Sequence, residues 1–167
     1  MAMGLIEIVA ADRQWAIGRD GGMCHHLPAD MAFFKQTTMG GVLILGRKTL
    51  DSFPGGRPLP GRVNIVITRQ KDFYREGCII VHSPQEALQR AKEYVPRPAF
   101  VVGGGEIYRQ MLPWCTKAYV TKIDTIFDQP DTFVDDLDAR PEWQVSAVSE
   151  KKEYSGITFQ FVTYERQ

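Results

Sequence analysis

Short apolar segments rich in β-branched residues recur along this chain, and helical patterns separate them. Because they are apolar nearly throughout, these segments are typical of strands covered on both faces. Two alternating segments follow near the end of the chain, joined by a polar stretch with Gly156 that is typical of a hairpin connection. The eight predicted strands lie within residues 4–11, 41–46, 62–68, 78–82, 99–104, 117–123, 142–150 and 156–165.

Four helical patterns lie between the predicted strands. The third has the clearest start, since Ser83 suits the N-cap, Pro84 suits the first helical position and Glu86 completes a capping box. The last two strands follow one another without a helix. This order predicts an α/β fold with a mostly parallel, helix-flanked sheet and an antiparallel edge. The predicted helices cover residues 28–38, 47–53, 83–94 and 105–113.

Composition limits the class of protein. The chain has 167 residues, which predicts one domain over residues 1–167, and its 20 basic and 20 acidic side chains cancel. It shows no basic stretch suited to nucleic acid, and its acidic segment 131–138 is interpreted as a solvated loop. Neither an apolar run of membrane length nor a secretory leader is seen, and three scattered cysteines are typical of reduced thiols. We therefore expect a cytoplasmic protein that binds neither membranes nor nucleic acid.

The predicted helix 28–38 carries a carboxylate on its apolar side. Leu27, Met31 and Phe34 fall on one helical stripe, and Asp30 lies on the same stripe. Asp30 has a structural interpretation, because an acid in the first turn is favourable beside the helix dipole. On an apolar face, however, a carboxylate is costly unless it has a partner. This favours a second interpretation, in which the stripe lines a pocket and Asp30 binds nitrogen donors of a ligand.

A different interpretation of the same region is a metal site, because Cys24, His25 and His26 precede the helix. Adjacent residues of an extended chain point to opposite sides, so three in a row rarely share one ion. The sequence offers no second pair of histidines or cysteines at ligand spacing. We therefore expect no metal.

Two strand-to-helix junctions are suited to phosphate. At the first, Gly46 ends a strand and Arg47 and Lys48 follow, so that free backbone N–H groups and two cations would hold an anion. The alternative is that both side chains extend into solvent. At the second, the glycines 103–105 would let the backbone approach a ligand closely, or would serve tight packing of a helix on a strand. Two such junctions at the carboxyl ends of strands favour a phosphate-bearing cofactor.

Six segments, in this order, resemble dihydrofolate reductases of the bacterial chromosomal type: "IVAADRQWAIGRDGG", "LPADMAFFKQTT", "LGRKTLDSF", "RPLPGRVNIVITR", "VVGGGEIY" and "YVTKIDT". The resemblance covers essentially the whole chain. It implies an eight-stranded, mostly parallel sheet with an antiparallel C-terminal edge strand and four flanking helices. It also implies NADPH-dependent reduction of 7,8-dihydrofolate to 5,6,7,8-tetrahydrofolate, with hydride delivered to C6 and N5 protonated. A monomer is expected, and antifolates such as trimethoprim or methotrexate are expected ligands.

The resemblance also implies a substrate site. Asp30 would bind the pterin 2-amino group and N3 and would support protonation of N5 through water, with Thr121 behind it and Met23 on a mobile loop. Arg62 would bind the glutamate α-carboxylate, which suits a guanidinium. The implied substrate-binding set is Ile8, Val9, Ala10, Asp30, Met31, Phe34, Phe53, Leu59, Arg62, Val102, Tyr108 and Thr121.

For NADPH, the resemblance places residues 47–49 at the phosphates and Arg69 at the adenosine 2′-phosphate. Ala10, Ile17 and Gly18 would face the nicotinamide and its ribose, and a cis peptide would join Gly103 and Gly104. The implied cofactor-binding set is Ala10, Ile17, Gly18, Gly46, Arg47, Lys48, Thr49, Thr68, Arg69, Val102, Gly103, Gly104, Gly105, Glu106, Ile107 and Tyr108.

The chain departs from the family pattern at two places. The family usually has Pro-Trp where this chain has Cys24 and His25, and that tryptophan bounds the pocket and helps to hold a water. Pro130 stands where a glycine before Asp-Thr is usual, so closure of the loop around Met23 is expected to be altered. Two alternatives stay open: a pterin- or nucleotide-binding module without turnover, and a pyrimidine reductase of the same fold.

Overall fold

The protein is described by a computed structural model over residues 4–20, 22–23 and 26–167. The strands of this part of the chain are β1 (Leu5–Ala11), β2 (Ala16–Arg19), β3 (Gly22–Met23), β4 (Val42–Gly46), β5 (Val63–Ile67), β6 (Cys78–Val81), β7 (Ala99–Gly103), β8 (Cys115–Ile123), β9 (Thr132–Phe133), β10 (Trp143–Val148), β11 (Lys152–Tyr154) and β12 (Ile157–Arg166). The helices are α1 (Pro28–Thr38), α2 (Arg47–Ser52), α3 (Pro84–Lys92) and α4 (Gly105–Met111), and short 3₁₀ turns occupy Pro54–Gly56, Leu112–Trp114 and Leu137–Ala139.

The main sheet has the strand order β10-β12-β8-β1-β7-β4-β5-β6, and β11 pairs with β12 outside this row. From β8 to β6, every neighbouring pair is parallel. β12 runs antiparallel to β8, and β10 runs antiparallel to β12. The eight predicted strands and four predicted helices are all present, so the predicted fold class is confirmed.

Strand β1 separates two apolar clusters, because alternate side chains of a strand point to opposite faces. Leu5 and Val9 join a cluster that contains buried residues of α3 and α4. Ile8 points the other way, into a cluster that includes Leu50 of α2 and the partly buried Phe34 of α1. Both faces of the sheet are therefore covered, which explains why the parallel strands are apolar nearly throughout.

Four strands were not predicted. β2, β3 and β9 form a separate three-stranded sheet in the order β3-β2-β9. With four, two and two residues they are too short to show an alternating pattern. The fourth, β11, lies in the stretch predicted as a hairpin connection, so that prediction was wrong for these residues. The tight turn is confined to Ser155 and Gly156, whose φ values of 52° and 78° are typical of a two-residue hairpin turn.

The helix predictions differ from the structure mainly at the ends. The capping box of α3 is confirmed at its start, since the Glu86 N–H donates to Ser83 Oγ at 3.1 Å. α3 ends at Lys92 and α4 at Met111, each about one half-turn earlier than predicted. No helix in the described part of the chain combines the length and the apolar character needed to cross a membrane.

A carboxylic acid lies within the larger apolar cluster. Glu7 of β1 is 3% exposed, and its register neighbours are Val101 of β7 and Ala118 of β8. Its Oε2 atom finds no hydrogen-bond partner among the described residues. Burial, with a smaller contribution from the charge of Asp135, raises the pKa of Glu7 from 4.5 to about 8. Glu7 is therefore mostly neutral at pH 7.

We predict that Glu7→Gln stabilises the protein increasingly as the pH rises. Because the folded state prefers neutral Glu7, the stability tied to its proton is complete below pH 4.5 and is lost as the pH rises through about 8. The difference in unfolding free energy between variant and wild type should grow by about 3 kcal/mol between pH 5 and pH 8. Urea unfolding at several pH values measures it, with Glu153→Gln of the exposed β11 as control. A pH-independent difference would contradict the prediction.

Candidate active site

The apolar stripe of α1 is only partly covered by protein. Of the residues of α1, all of which are described, only Thr38 is fully buried. Phe34 is partly buried against the cluster that contains Ile8, whereas Met31 is 56% exposed. Leu27, just before the helix, is buried against Ile123 and Phe159. The helix therefore leaves an open apolar side between itself and the carboxyl ends of the parallel strands.

Asp30 is attached to the sheet at this side of α1. Thr121 of β8, which is 2% exposed, donates from Oγ1 to Asp30 Oδ1 at 2.5 Å. Burial raises the pKa of Asp30, and the hydrogen bond from Thr121 opposes this effect without cancelling it. The carboxyl group is thus fixed by one partner and has a larger protonated fraction near neutral pH than an exposed aspartate.

Arg62 lies near the other end of α1. Its Nε donates to the carbonyl oxygen of Pro60 at 3.0 Å, and one terminal nitrogen donates to Thr38 Oγ1 at 3.1 Å. Partial burial lowers the pKa of Arg62, which remains a cation because a guanidinium ordinarily titrates above 12. These two bonds orient the guanidinium and leave further N–H groups for an anionic ligand.

Five of the predicted substrate residues belong to one apolar cluster. These residues, here called the apolar wall, are Ile8, Phe34, Phe53, Leu59 and Val102. Ala10 packs beside Leu27 in an adjoining cluster. Val9 was also predicted to contact substrate, but its side chain packs in the cluster on the opposite face of the sheet. At Val9, therefore, only the main chain can take part in the predicted substrate site.

A glycine cradle lies where β7 ends. A cis peptide joins Gly103 and Gly104, as the family resemblance implied. A Cβ atom placed on Gly103 would lie 3.3 Å from the Tyr108 ring, and one placed on either glycine would lie 3.6 Å from Thr49 Oγ1. The absence of side chains therefore keeps a narrow space open between β7 and α2.

Tyr108 fixes the floor of this cradle. It is 7% exposed, and its hydroxyl donates to the carbonyl oxygen of Ile8 at 2.7 Å. Burial raises the pKa of Tyr108 well above 10, and neighbouring Glu7 adds to the effect. The phenol therefore stays neutral and joins α4 to β1 beside the pocket.

Basic side chains follow β4 and β5, at the same edge of the sheet as the glycine cradle. Arg47 of α2 donates to Asp51 at 3.0 Å, and Arg69 after β5 donates to Glu106 of α4 at 3.1 Å. Lys48 is exposed, and the hydroxyl of Thr68 accepts from the Gln70 N–H at 3.1 Å. Gly46 approaches α4 closely, since a Cβ there would lie 3.1 Å from Ile107.

Sequence reasoning missed Arg75, which links the loop after α2 to that helix. It donates to Asp51 at 3.1 Å and to the carbonyl oxygen of Gly56. Asp51 is thereby shared by Arg47 and Arg75. A single arginine in a polar loop carries no sequence signal for this contact.

The small sheet fixes the positions of β2 and β3 relative to β9. Gly18 of β2 pairs with Met23 of β3, and Met23 is 50% exposed. The Asp131 N–H donates to the carbonyl oxygen of Gly18 at 3.0 Å, and the Asp20 N–H donates to Asp131 Oδ2 at 2.8 Å. These bonds form despite Pro130, so the β2–β3 hairpin (residues 16–20 and 22–23) is docked against β9.

The acidic side chains of segment 131–138 are mostly exposed, as the interpretation of a solvated loop expected, but several of them also bind neighbouring groups. Asp131 binds the β2–β3 hairpin, Asp135 pairs with Arg140 at 3.3 Å, and Asp136 accepts from the Asp138 N–H at 2.9 Å. The backbone of the hairpin is held at its base by Asp12, which sequence reasoning also missed. Asp12 is 2% exposed and accepts hydrogen bonds from the N–H groups of residues 14, 16 and 127.

The chain departs from the family pattern at Pro130 and at Cys24 and His25. Pro130 lies in the described chain, next to a docking contact that is formed. Cys24 and His25, which replace the usual Pro-Trp, lie outside the described residues. Two of the three residues considered for a metal site are therefore also outside them.

Comparison with known proteins identifies the family. The sequence model described as dihydrofolate reductase matches residues 4–166. The chain belongs to the dihydrofolate reductase family. The dihydrofolate reductase of Mycobacterium leprae is 41% identical to it over 90% of each chain, and that of Haemophilus influenzae is 43% identical over 83% of this chain and 82% of the relative.

A solved structure supports the same assignment. Dihydrofolate reductase from Enterococcus faecalis, complexed with NADP(H) and RAB-propyl, superimposes with a TM-score of 0.87 at 34% identity, covering 98% of this chain and 96% of that one. As a member of the dihydrofolate reductase family, the chain catalyses NADPH-dependent reduction of dihydrofolate. A binding module without turnover and a pyrimidine reductase are not favoured. The family also binds antifolate inhibitors.

We predict that Gly104→Ala weakens binding of NADPH with little loss of stability. The φ of Gly104 is −80°, which alanine tolerates, and the added methyl group would project into the cradle. The dissociation constant of NADPH should rise at least tenfold, a loss of about 1.4 kcal/mol. Fluorescence titration measures it. Folate binding should change less than twofold, and an equal loss of both ligands would contradict a cradle for the cofactor.

Proposed function

We propose that Asp30, held by Thr121, is the group that supports protonation of N5 during reduction of 7,8-dihydrofolate to 5,6,7,8-tetrahydrofolate. The observation that carries this assignment is a partly buried carboxyl group whose one described hydrogen-bond partner is Thr121, on a helix that packs against an apolar cluster. Bound NADPH supplies the hydride for C6. The protein must then orient the pterin, deliver a proton to N5 and keep water from the reacting atoms.

Asp30 performs the first two tasks. Oδ1 is occupied by Thr121, so the outer side of the carboxyl group is left for the 2-amino group and N3 of the pterin. These two donors match a carboxylate in geometry and charge. The raised pKa of Asp30 increases its protonated fraction near neutral pH, and the proton can reach N5 through a water molecule. The catalytic set is completed by Thr121, which orients Asp30, and Met23, which covers the pocket.

The remaining substrate contacts follow from the wall and from Arg62. The ring and its aminobenzoyl group would pack on the apolar side chains Ile8, Ala10, Met31, Phe34, Phe53, Leu59 and Val102, with Tyr108 and the Val9 main chain beside them. Arg62 is already oriented by Pro60 and Thr38 and would bind the glutamate α-carboxylate. The substrate would thus extend from Asp30 to Arg62 along one face of α1.

The residues around the glycine cradle fit NADPH. Gly103 and Gly104 leave room for a ligand against Thr49 and Tyr108, and the cations lie along the same edge of the sheet. We assign the phosphates to Gly46, Arg47, Lys48 and Thr49, the adenosine 2′-phosphate to Thr68 and Arg69, and the nicotinamide side to Ala10, Ile17, Gly18 and Val102. Gly105, Glu106 and Ile107 would complete the wall. Arg69 currently pairs with Glu106, and a phosphate dianion would replace that carboxylate.

We also propose that residues 1–167 act as one domain, as a monomer and in the cytoplasm. The two described cysteines are free thiols, in keeping with a reducing compartment. Light scattering that gives twice the chain mass would exclude the monomer.

We predict that Asp30→Asn lowers the rate of hydride transfer at least about 100-fold at pH 7. The amide keeps the shape of the side chain but holds no transferable proton. In the wild type the rate should fall as the pH rises through the raised pKa of Asp30, and this dependence should disappear in the variant. Stopped-flow absorbance at 340 nm measures the rate. NADPH affinity should stay within about threefold, and an unchanged rate would remove Asp30 from catalysis.

We predict that Arg62→Gln raises the KM for dihydrofolate by roughly 10- to 100-fold, because one charged hydrogen-bonding partner of a carboxylate is removed. The kcat should change far less, since the reacting atoms lie at the other end of the pocket. Arg97→Gln, at a loop where the guanidinium lies against Tyr94, is the matched control and should leave KM unchanged. Steady-state kinetics with varied dihydrofolate separate the two effects. A loss confined to kcat would contradict the assignment.

A further inference from the structure

Trp15 occupies an unusual position at the base of the β2–β3 hairpin. It lies between β1 and β2, and its φ of 63° falls in the left-handed region that bulky residues rarely adopt. Its side chain is nevertheless only 6% exposed. A large residue persists in this backbone conformation only where its surroundings determine it. The contacts of the indole are therefore expected to matter for the hairpin that follows.

Two side chains contact the indole, Lys122 of β8 and Tyr164 of β12, and Asp138 of the 137–139 turn binds both of them. These three residues are here called the Trp15 cluster. The Lys122 ammonium lies 5.3 Å from the centre of the Trp15 ring, within the range of a cation–π contact. Tyr164, 1% exposed, packs against Trp15 with ring centres 6.1 Å apart.

One carboxylate joins the members of the Trp15 cluster. Asp138 accepts from Lys122 Nζ at 2.6 Å on one oxygen and from the Tyr164 hydroxyl at 2.8 Å on the other. Lys122 is therefore held between an anion and an aromatic face, so its position over Trp15 is determined on both sides. The ammonium is one link between the carboxylate and the indole, and the ring of Tyr164 is the other.

The main chain of Trp15 connects this cluster to the hairpin. Its N–H donates to the carbonyl oxygen of Asp12, and its own carbonyl oxygen accepts from the Val134 N–H at 2.9 Å, directly after β9. Ala16, the next residue, begins β2 and pairs with Phe133 of β9. A displacement of Trp15 would therefore shift β2 relative to the strand that docks it.

We propose that Lys122 is a positioning residue of the reaction: acting through Asp138 and Trp15, it keeps the base of the β2–β3 hairpin in place, so that Met23 stays over the pocket. The inference rests on the proposed function in one respect, the role of Met23 as a cover for the reacting atoms. Lys122 itself touches neither substrate nor cofactor. Its effect is on the fraction of molecules in which the hairpin is docked.

The size of the effect follows from the interactions that the Lys122 ammonium makes. Its removal deletes one partly exposed ion pair and one cation–π interaction, each of modest strength. Together they correspond to roughly a five- to twentyfold change in an equilibrium. Because Asp131 still holds the far side of the hairpin through Asp20, docking should be weakened rather than abolished. Asp12 and the pairing of β2 with β9 also remain in place. A hairpin held by several contacts of modest strength can dock on average and still open for ligands to enter and leave.

The test compares Lys122→Met with Lys117→Met. Lys117 lies on the same strand, and its ammonium lies 5.9 Å from the Tyr119 ring in a similar contact, away from the hairpin. The first readout needs no ligand: hydrogen exchange of the Asp20 amide, which donates to Asp131. Exchange should accelerate five- to twentyfold in Lys122→Met and less than twofold in Lys117→Met. Lys122→Arg, which retains the cation, should restore the wild-type rate within about threefold.

The second readout is hydride transfer measured by stopped flow with NADPH and dihydrofolate. Lys122→Met should slow this step five- to twentyfold while the KM for dihydrofolate changes less than twofold, because Arg62 and the apolar wall are untouched. The primary isotope effect on this step with deuterated NADPH should stay unchanged, because the docked fraction falls while the transfer within docked molecules remains the same. Should Lys122→Met fail to fold, Asp138→Asn removes the same ion pair in nearly the same shape, and the same outcomes are expected.

An Asp20 exchange rate that is unchanged in Lys122→Met, or raised as much in Lys117→Met, would overturn the proposal. A wild-type protein that does not oxidise NADPH with dihydrofolate would instead refute the proposed function. In that case the exchange comparison in ligand-free protein would still decide the role of Lys122.

Discussion

Strand β1 is hydrogen-bonded in parallel to both β7 and β8, and the arrangement of the pocket depends on these two pairings. Because the three strands run in the same direction, their carboxyl ends lie along one edge of the sheet. β7 brings the glycine cradle to that edge, β8 brings Thr121, and β1 leads into the β2–β3 hairpin. The parallel register therefore assembles groups from distant parts of the sequence around one pocket.

Three acids of this protein show how environment determines the role of a carboxyl group. Asp12 accepts three backbone N–H groups and fixes the base of the hairpin. Asp30 has one described partner and an open side, which leaves it available to a ligand. Glu7 is buried, and its Oε2 atom has no hydrogen-bond partner among the described residues, so its pKa rises to about 8. The hydrogen bonds of Asp12 thus serve structure, and the open side of Asp30 serves the proposed chemistry. The buried carboxyl group of Glu7 makes stability depend on pH.

Local sequence signals were enough to predict the main sheet, the four helices and the place of Asp30 on the apolar side of α1. Long apolar runs and helical periodicity do not depend on distant residues, and the capping box at Ser83 marks a helix start without tertiary contacts. The family resemblance supplied the residue roles that periodicity could not. Strands of two residues, such as β3 and β9, left no such signal, and neither did the contacts of Arg75 and Asp12.

The neighbours of these residues depend on tertiary packing. Val9 and Ile8 are adjacent in sequence, but the pleat of β1 directs them into opposite clusters. The acids of segment 131–138 were expected to be solvated, yet they bind partners as distant in sequence as Asp20 and Lys122. The sequence around Trp15 carries no signal for its positive φ or for its contact with Lys122. Composition and periodicity record local preference, whereas a hydrogen bond between distant residues depends on how the whole chain packs.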